Sequence, residues 1–386
     1  MPGSPVWSSQ RSDDLLSQGI TFLFSIALGM STVLIPLVAT TAGYSLGAVG
    51  FLVGVSAIAQ IIARAGMGPM MDRFSTRTFI LWALVLVALS CALLGLNDEL
   101  WVFIVAQLLQ GAGRAYFFTG TQTHVVRGDR SAVSALALMN VVNGAGMLVG
   151  PVVAGFIGDI SLQFALFIAA GMVGVTIPAC LLLRAYAPFV RPSASPGQKT
   201  RPVWRMPGVV SAGLMAGTAG GWRSILNSYL PVLVAEASRS IAMAGVMVTV
   251  ANLAALAGSA AAPAARRLRI RTAASVSAVL VAAGTAIMVL LLPHIVLAGV
   301  FLAVAGLGAG FLQTLAPTIA TEVVDPELRG RSLATVGTYR AVALLATPMS
   351  IGALVFVVPT AAVATAIVAV AISIPTVVFN RECPRP

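Results

Sequence analysis

The chain has 386 residues and a net charge of +11, and 58% of its residues are hydrophobic while only 9% are charged. Soluble domains carry about a quarter charged residues, so this composition excludes a soluble protein and predicts an integral membrane protein. The basic residues cluster in loops between apolar runs, as in cytoplasmic loops of membrane proteins, so we expect no nucleic-acid partner.

Apolar runs of the length that crosses a bilayer, about 20 residues, recur along the whole chain. We number them spans 1 to 12: 18–40, 46–67, 78–96, 100–121, 132–157, 163–183, 207–235, 241–263, 272–292, 295–320, 333–357 and 359–380. Residues 184–206 are rich in Pro, Ser and basic side chains and predict a linker. The expected fold is all-α and integral to the membrane, with an N-terminal bundle (1–183), a cytoplasmic linker (184–206) and a C-terminal bundle (207–386).

An internal repeat relates the two halves at an offset of roughly 195–197 residues. Pro151 in span 5 matches Pro348 in span 11. The glycine pair of span 4 matches that of span 10, with Gly111 aligned to Gly308 and Gly113 to Gly310. Parallel repeats of this kind predict two pseudo-symmetric six-helix bundles that move about a site at the membrane midplane.

Charge in the loops predicts the orientation. If the N-terminus is cytoplasmic, the outer loops hold Arg239 as their only basic residue, together with the acids Asp98, Glu99, Asp159 and Glu236. Both termini are therefore expected in the cytoplasm, in a multi-pass protein of the cytoplasmic membrane. The first residues carry no cleavage-like signal, so span 1 is expected to be retained.

Two stretches stand out for their residue spacing. The loop between spans 2 and 3 combines an acid with bases: Gly68, Asp72, Arg73 and Arg77. The equivalent loop of the second half, 266–271, has no acid. Span 5 carries small residues about four apart with a proline: Gly146, Gly150, Pro151 and Gly155. Glycines at this spacing let two helices approach closely, and the proline is expected to bend the helix.

Charge inside the spans is the sharpest anomaly, because Arg114, Arg223 and Arg340 lie in spans 4, 7 and 11 without an acid at comparable depth. Each such arginine costs about 2.5–3.5 kcal/mol unless it faces a cavity or a partner. We therefore predict a cavity for an anionic or carboxylate-bearing solute, with Arg223 as the main contact. The other interpretation is that these arginines reach the interface or bind backbone carbonyls. Further predicted cavity residues are Gln107, Gln110, Asn140, Asn143, Trp222, Asn227 and Gln313, each of which could instead bond neighbouring helices.

Proton coupling needs a titratable group. With no acid deep in a span, the candidates are His124 and Glu322, at matching ends of spans 4 and 10, with Asp13 and Asp14 just before span 1. A lone histidine at an interface is more often structural.

In these motifs the chain resembles the major facilitator superfamily of secondary transporters over nearly its whole length. The loop at 68–77 is similar to the family's loop 2–3 motif, with Ser75 in place of its usual glycine. Span 5 is similar to the family's exporter motif, whereas Gln107 stands where the family has an arginine tied to proton coupling. The resemblance implies a latch in which Asp72 faces the start of span 11.

The resemblance further implies export of a small organic or drug-like solute by alternating access, coupled to protons, by a monomer. Two alternatives stay open: a uniporter or importer of an organic anion, and a non-transporting membrane sensor on the same fold. We find no nucleophile–base pair, metal cluster or phosphate loop, so we expect no enzyme, metal or cofactor. The expected partners are the solute, the lipid bilayer and protons.

Overall fold

The structure is a computed structural model that describes residues 10–128, 132–188, 203–262, 270–324 and 328–379. Within these ranges the regular structure is helical. The first half contains α1 (Gln10–Thr41), α2 (Leu46–Met71), α3 (Thr76–Leu96), α4 (Leu100–Val125), α5 (Ala132–Gly158), α6 (Leu162–Gly174) and α7 (Thr176–Leu181). The second half contains α8 (Pro207–Asn227), α9 (Tyr229–Ser238), α10 (Ile241–Ala261), α11 (Ile270–Leu290), α12 (Ile295–Glu322), α13 (Arg329–Leu354) and α14 (Ala361–Val378), with a short 3-10 turn at Val203–Arg205.

These helices follow the twelve predicted spans in order, with two spans divided. Span 6 is split between α6 and α7 at Val175, and span 7 between α8 and α9 at Ser228, whose φ of −125° and ψ of −75° are not helical. A second difference lies at the N-terminus, because α1 begins at Gln10 and so includes both Asp13 and Asp14, which we had expected to precede the helix.

Nine helical stretches of the described ranges are long and apolar enough to cross a membrane. The long helices outside this set are α4, α8 and α13. Each of them carries one of the predicted intramembrane arginines, Arg114, Arg223 and Arg340. The three long helices that fall outside the apolar set are thus the ones whose arginines predict a polar cavity.

The chain divides into two compact units. Unit 1 comprises Met1–Val38 and Ile58–Ser195, and unit 2 comprises Ala39–Ala57 and Pro196–Pro386. The first part of α2 therefore packs with unit 2, where the hydroxyl of Tyr229 donates to the carbonyl oxygen of Leu46 over 2.8 Å. The division into an N-terminal bundle that ends at residue 183, a linker, and a C-terminal bundle that begins after residue 206 stays a prediction.

Each unit repeats the same helix pairs. In unit 1, α3 packs on α4 and α6, and in unit 2, α11 packs on α12 and α14. A Cβ added to Gly113 would lie 2.6 Å from Cγ2 of Val87, and one added to Gly308 would lie 3.3 Å from Cγ2 of Val281. The packing therefore aligns Gly113 with Gly308, two residues away from the pairing expected from the sequence, in which Gly308 matches Gly111. Gly310 lies instead against α10, at Ala255.

The small residues of α5 lie against α1. A Cβ on Gly146 would lie 2.6 Å from Cβ of Ser25, and one on Gly150 would collide with the carbonyl oxygen of Ile26. Pro151 meets α1 at Gly29, where an added Cβ would lie 2.9 Å from the proline Cδ. Gly155, the last residue of the motif, is buried in the same helix. This close approach of two backbones is what the spacing predicts.

Candidate functional site

A buried acid–histidine pair lies at the end of unit 1 where α1 begins. Asp13 is 5% exposed and His124, from the last turn of α4, is 1% exposed. His124 Nε2 lies 3.0 Å from Asp13 Oδ2, and His124 Nδ1 lies 3.0 Å from the hydroxyl of Thr76, the first residue of α3. Three helices thus supply one residue each, and we call this group the Asp13–His124–Thr76 site.

The site can hold or release a proton without losing a hydrogen bond. A neutral ring that donates from Nε2 to Asp13 accepts at Nδ1 from the hydroxyl of Thr76. A protonated ring donates from both nitrogens, and the hydroxyl oxygen then accepts, because a threonine hydroxyl serves in either role. Histidine is the side chain whose charge ordinarily changes near neutral pH. Both ring nitrogens therefore have a partner in either tautomer.

The chain that follows α7 is fastened over this site. The backbone N–H of Arg184 donates to Asp13 Oδ1 over 2.8 Å, and its side chain donates to Gln10 Oε1 over 2.8 Å. The ring of Tyr186 packs edge-on against His124 with 5.0 Å between centroids. Burial, and next the negative charge of Asp13, raise the pKa of Tyr186, which keeps its phenol neutral. We call residues 182–188 the strap.

Arg77, predicted as part of the latch, holds the start of the strap. Its Nη1 donates to the carbonyl oxygens of Leu181 and Leu183 over 3.1 and 3.2 Å. Carbonyl groups at the C-terminal end of a helix lack hydrogen-bond partners within it. A guanidinium donates to them, and its positive charge interacts favourably with the negative end of the helix dipole. Within unit 1, Arg77 therefore caps α7.

The other latch residues border a shorter loop than the sequence predicts. Gly68 belongs to α2, which continues to Met71, and the loop proper is 72–75 with Asp72 and Arg73 at its start. The partner expected for Asp72, at the start of span 11, belongs to the other unit. The latch stays a prediction.

The polar face of α4 holds the predicted residues Gln107, Gln110 and Arg114. Gln107 and Gln110 are buried, and Arg114 Nη2 donates to Gln110 Oε1 over 3.0 Å. Among the protein atoms that the structure describes, Gln107 Oε1, Gln110 Nε2 and Arg114 Nε are buried without a hydrogen-bond partner. Each such atom costs about 1–3 kcal/mol, so this face is expected to bind water or a ligand.

In unit 2 the main predicted anion contact already has a protein partner. Arg223 donates from Nη1 to Asn252 Oδ1 of α10. Arg340 lies with its Cγ 2.9 Å from a Cβ built on Gly220, so its stem packs on α8. Trp222 is buried, with an indole N–H that has no partner among the described protein atoms.

The remaining predicted residues are spread over both units. Asn143 of α5 accepts a hydrogen bond from Ser25 of α1 over 2.8 Å, whereas Asn140 is exposed. Asn227 is half-buried in the last turn of α8, and both Gln313 and Glu322 are exposed on α12. His124 and Glu322, at matching sequence positions, therefore differ in environment: one is buried with an acid and the other faces outward.

Sequence reasoning missed the partners of His124. Neither Thr76 nor Arg184 is marked out by a motif. Their only signal in the sequence is position: Thr76 begins α3, Arg184 follows α7, and both lie at the end of the unit where α4 stops. Asp13 is a candidate from the sequence, but its pairing with His124 depends on the early start of α1, which places Asp13 within the first turn of the helix.

A small pocket lies beside this site. Its lining comprises Asp14, Ser17, Gln18, Thr21, Val125, Ala135, Leu138 and Met139. Polar side chains of α1 form one wall, and apolar side chains of α4 and α5 form the other.

A protein-family model described as Major Facilitator Superfamily matches residues 19–348. Among curated proteins, the tetracycline resistance protein class B of Escherichia coli is 32% identical over 125 residues, which is 31% of this chain and 30% of that protein. Multidrug resistance protein 1 of Bacillus subtilis (strain 168) is 26% identical over 155 residues, 39% of this chain and 40% of that protein. The chain thus matches less than half the length of these relatives.

Solved structures are similar over nearly the whole chain. The nucleoside transporter NupG superposes with a TM-score of 0.79 at 14% identity, covering 95% of this chain and 98% of that one. A D-xylose-proton symporter superposes with a TM-score of 0.74 at 14% identity, covering 97% and 99%. At these identities the likeness concerns the fold alone.

Proposed function

The chain belongs to the Major Facilitator Superfamily, and from that premise we propose that it exports a small organic solute across the cytoplasmic membrane by alternating access, driven by proton entry. Membership confirms the resemblance drawn from the loop and span motifs. Support for export comes from the names of the curated relatives, which are tetracycline and multidrug resistance proteins. The tight α1–α5 crossing at the exporter motif agrees with this direction.

The observation that carries the proton coupling is the Asp13–His124–Thr76 site. It is a buried titratable pair in which either protonation state of the ring keeps both hydrogen bonds. Coupling requires a proton site whose occupancy changes the protein's contacts. Asp13 also accepts from the backbone of the strap, so a proton that changes the charge on the pair changes the hold on residues 182–188.

The cycle that follows from this geometry has two steps at the site. A proton arriving on His124 strengthens its attraction to the Asp13 carboxylate, since the pair becomes oppositely charged in a buried setting. Release of that proton towards the cytoplasm restores the neutral ring, and Asp13 then interacts more strongly with the N–H of Arg184. The charge on the pair and the hold on the strap thus change together as the proton binds and leaves.

Reconstituted vesicles test this proposal. We expect vesicles with an acidic interior to accumulate tetracycline through inserted protein, and His124→Gln to abolish the dependence of the rate on the pH gradient. His294→Gln is the matched control, because His294 is exposed at the start of α12 and is the only other histidine of the chain. Equal gradient dependence in both variants would contradict coupling through His124.

A second candidate function is uptake or uniport of an organic anion. The observation in its favour is Arg114, whose Nε is buried without a protein partner in the described part of the chain. Intact cells that gain a labelled carboxylate when they express the protein, in place of losing a preloaded solute, would select this function over export.

A further inference from the structure

The strap is tied to all three helices that supply the Asp13–His124–Thr76 site. Its start is held by Arg77 of α3, and its middle is held by α1 through the backbone N–H of Arg184. Near its end, the carbonyl oxygen of Ala187 accepts a hydrogen bond over 2.6 Å from Nη1 of Arg127, two residues beyond α4. The strap therefore lies across the helix ends and covers the site.

Tyr186 is the part of the strap that reaches the histidine. Its ring packs edge-on against His124, and the guanidinium carbon of Arg127 lies 5.7 Å from the centroid of the same ring. Ala185 and Ala187, on either side of it, are exposed, whereas the hydroxyl oxygen of Tyr186 is buried. The tyrosine side chain thus points inward from a surface segment, and its ring separates the imidazole from solvent on this side.

One carboxylate serves both the strap and the histidine. Asp13 Oδ2 lies 3.0 Å from His124 Nε2, while Oδ1 accepts the backbone N–H of Arg184 over 2.8 Å. Movement of the strap away from α1 therefore does two things at once. It withdraws a donor from the carboxylate that pairs with His124, and it lifts the ring that covers the imidazole.

We propose that the strap is a gate between His124 and the side of the membrane predicted to be cytoplasmic, and that the Tyr186 ring closes it. The closed strap keeps water away from the imidazole, and the open strap lets the proton leave. A proton-coupled transporter needs such a gate, because a proton site that is open to both sides at once would leak. The inference rests on the proposed function and names the residues that control one of its steps.

Chemical modification of the imidazole measures the gate. Diethyl pyrocarbonate reacts with a histidine only when it reaches the ring, so the rate at a covered histidine reports how often the cover opens. The chain has two histidines. His294→Gln therefore leaves only His124, and His124→Gln leaves only the exposed His294 as the reference for an open site.

The reaction is followed by ultraviolet absorbance at neutral pH, on the full chain purified without a histidine tag and placed in phosphatidylcholine nanodiscs. We expect His124 to react about tenfold or more slowly than His294, because several hydrogen bonds must break for the strap to open.

Two substitutions of Tyr186 separate its ring from its hydroxyl. In the His294→Gln background, Tyr186→Ala is expected to speed the modification of His124 about tenfold, because the aromatic contact and the covering ring are both lost. Tyr186→Phe keeps the ring and should stay within about twofold of the parent rate. Tyr44→Ala, beyond the far end of α1, is the matched control and should leave the rate unchanged.

A second strap variant carries the test if Tyr186→Ala does not fold. Arg127→Gln removes the hydrogen bond to Ala187 and should speed the modification several-fold. The proposal is overturned if His124 of the parent reacts as fast as His294, or if neither Tyr186→Ala nor Arg127→Gln speeds the reaction. It is also overturned if Tyr186→Phe or Tyr44→Ala speeds the reaction as much as Tyr186→Ala does.

The modification needs neither a pH gradient nor a transported solute, so the gate and the proposed function fail separately. A gate that depends on Tyr186, in a protein that does not transport, would reject the proposed function alone. Proton-driven transport by a protein whose His124 reacts freely would reject the gate alone.

Discussion

At the scale of single residues, two adjacent acids have different surroundings. Successive side chains of an α-helix point about 100° apart, so neighbours cannot share one face. Because α1 is already helical at Gln10, Asp13 turns inward to His124 and Asp14 turns to the pocket beside it. One acid is thereby committed to a buried pair, and its neighbour contributes charge to a cavity wall.

Thr76 is a positioning residue whose effect can be measured. Thr76→Val removes the partner of His124 Nδ1 while keeping the side-chain shape, and we expect it to lower the free energy of unfolding by about 1–3 kcal/mol. Thr76→Ser retains the hydroxyl and should recover most of the loss. Denaturant unfolding of the purified protein in detergent gives the comparison. If Thr76 also orients the ring for proton exchange, the valine variant alone shifts the pH profile of transport.

At the scale of helices, close packing depends on where side chains are missing. The crossing of α5 over α1 puts Gly150 against backbone atoms of Ile26, Gly29 and Met30, which cannot rotate away as a side chain would. A larger side chain at Gly150 would therefore lower the stability of the fold, because the backbone of α1 leaves no room for it.

A matched glycine pair tests this crossing. Gly150→Ala is expected to lower the free energy of unfolding by about 1–3 kcal/mol through overpacking. Gly171→Ala in α6 has nothing within 4 Å of the new methyl group, so it should be neutral or stabilise by up to about 1 kcal/mol. Thermal unfolding of both variants decides. Similar shifts for the two would show that the α1–α5 contact is looser than the distances indicate.

At the scale of the whole molecule, the two units use the same helix pairs, and the arginines predicted to lie within the membrane belong to α4, α8 and α13. Orientation in the membrane is set by charge in the loops rather than by this packing. The acids Asp98 and Glu99 lie between α3 and α4, while the arginine-rich connections lie at the opposite ends of the same helices.

Cysteine labelling tests the predicted orientation. Cys91 and Cys180 are buried, so an impermeant maleimide is expected to react with Cys383 near the C-terminus. Everted vesicles should label and intact spheroplasts should not, and Cys383→Ser should remove the signal. Asp98→Cys on that background serves as the outer-loop control and should label in spheroplasts. Labelling of Cys383 in intact spheroplasts would reverse the topology.

The sequence by itself determined that the chain is helical, spans a membrane about twelve times and repeats in two halves. Hydropathy and loop charge are additive along the chain, so they can be read without knowing which helices touch. The glycine spacing of span 5 can likewise be read from the sequence alone, because small residues four positions apart lie on one face of any helix.

Only the tertiary structure decided what the polar residues do. Arg77, predicted as part of a latch, caps α7 within unit 1, and Arg223, predicted as the main anion contact, donates to Asn252; both predicted roles stay predictions. The pairing of Asp13 with His124 joins residues 111 positions apart. A hydrogen bond is short and directional, so its partner depends on where several helix ends meet, which no local pattern along the chain records.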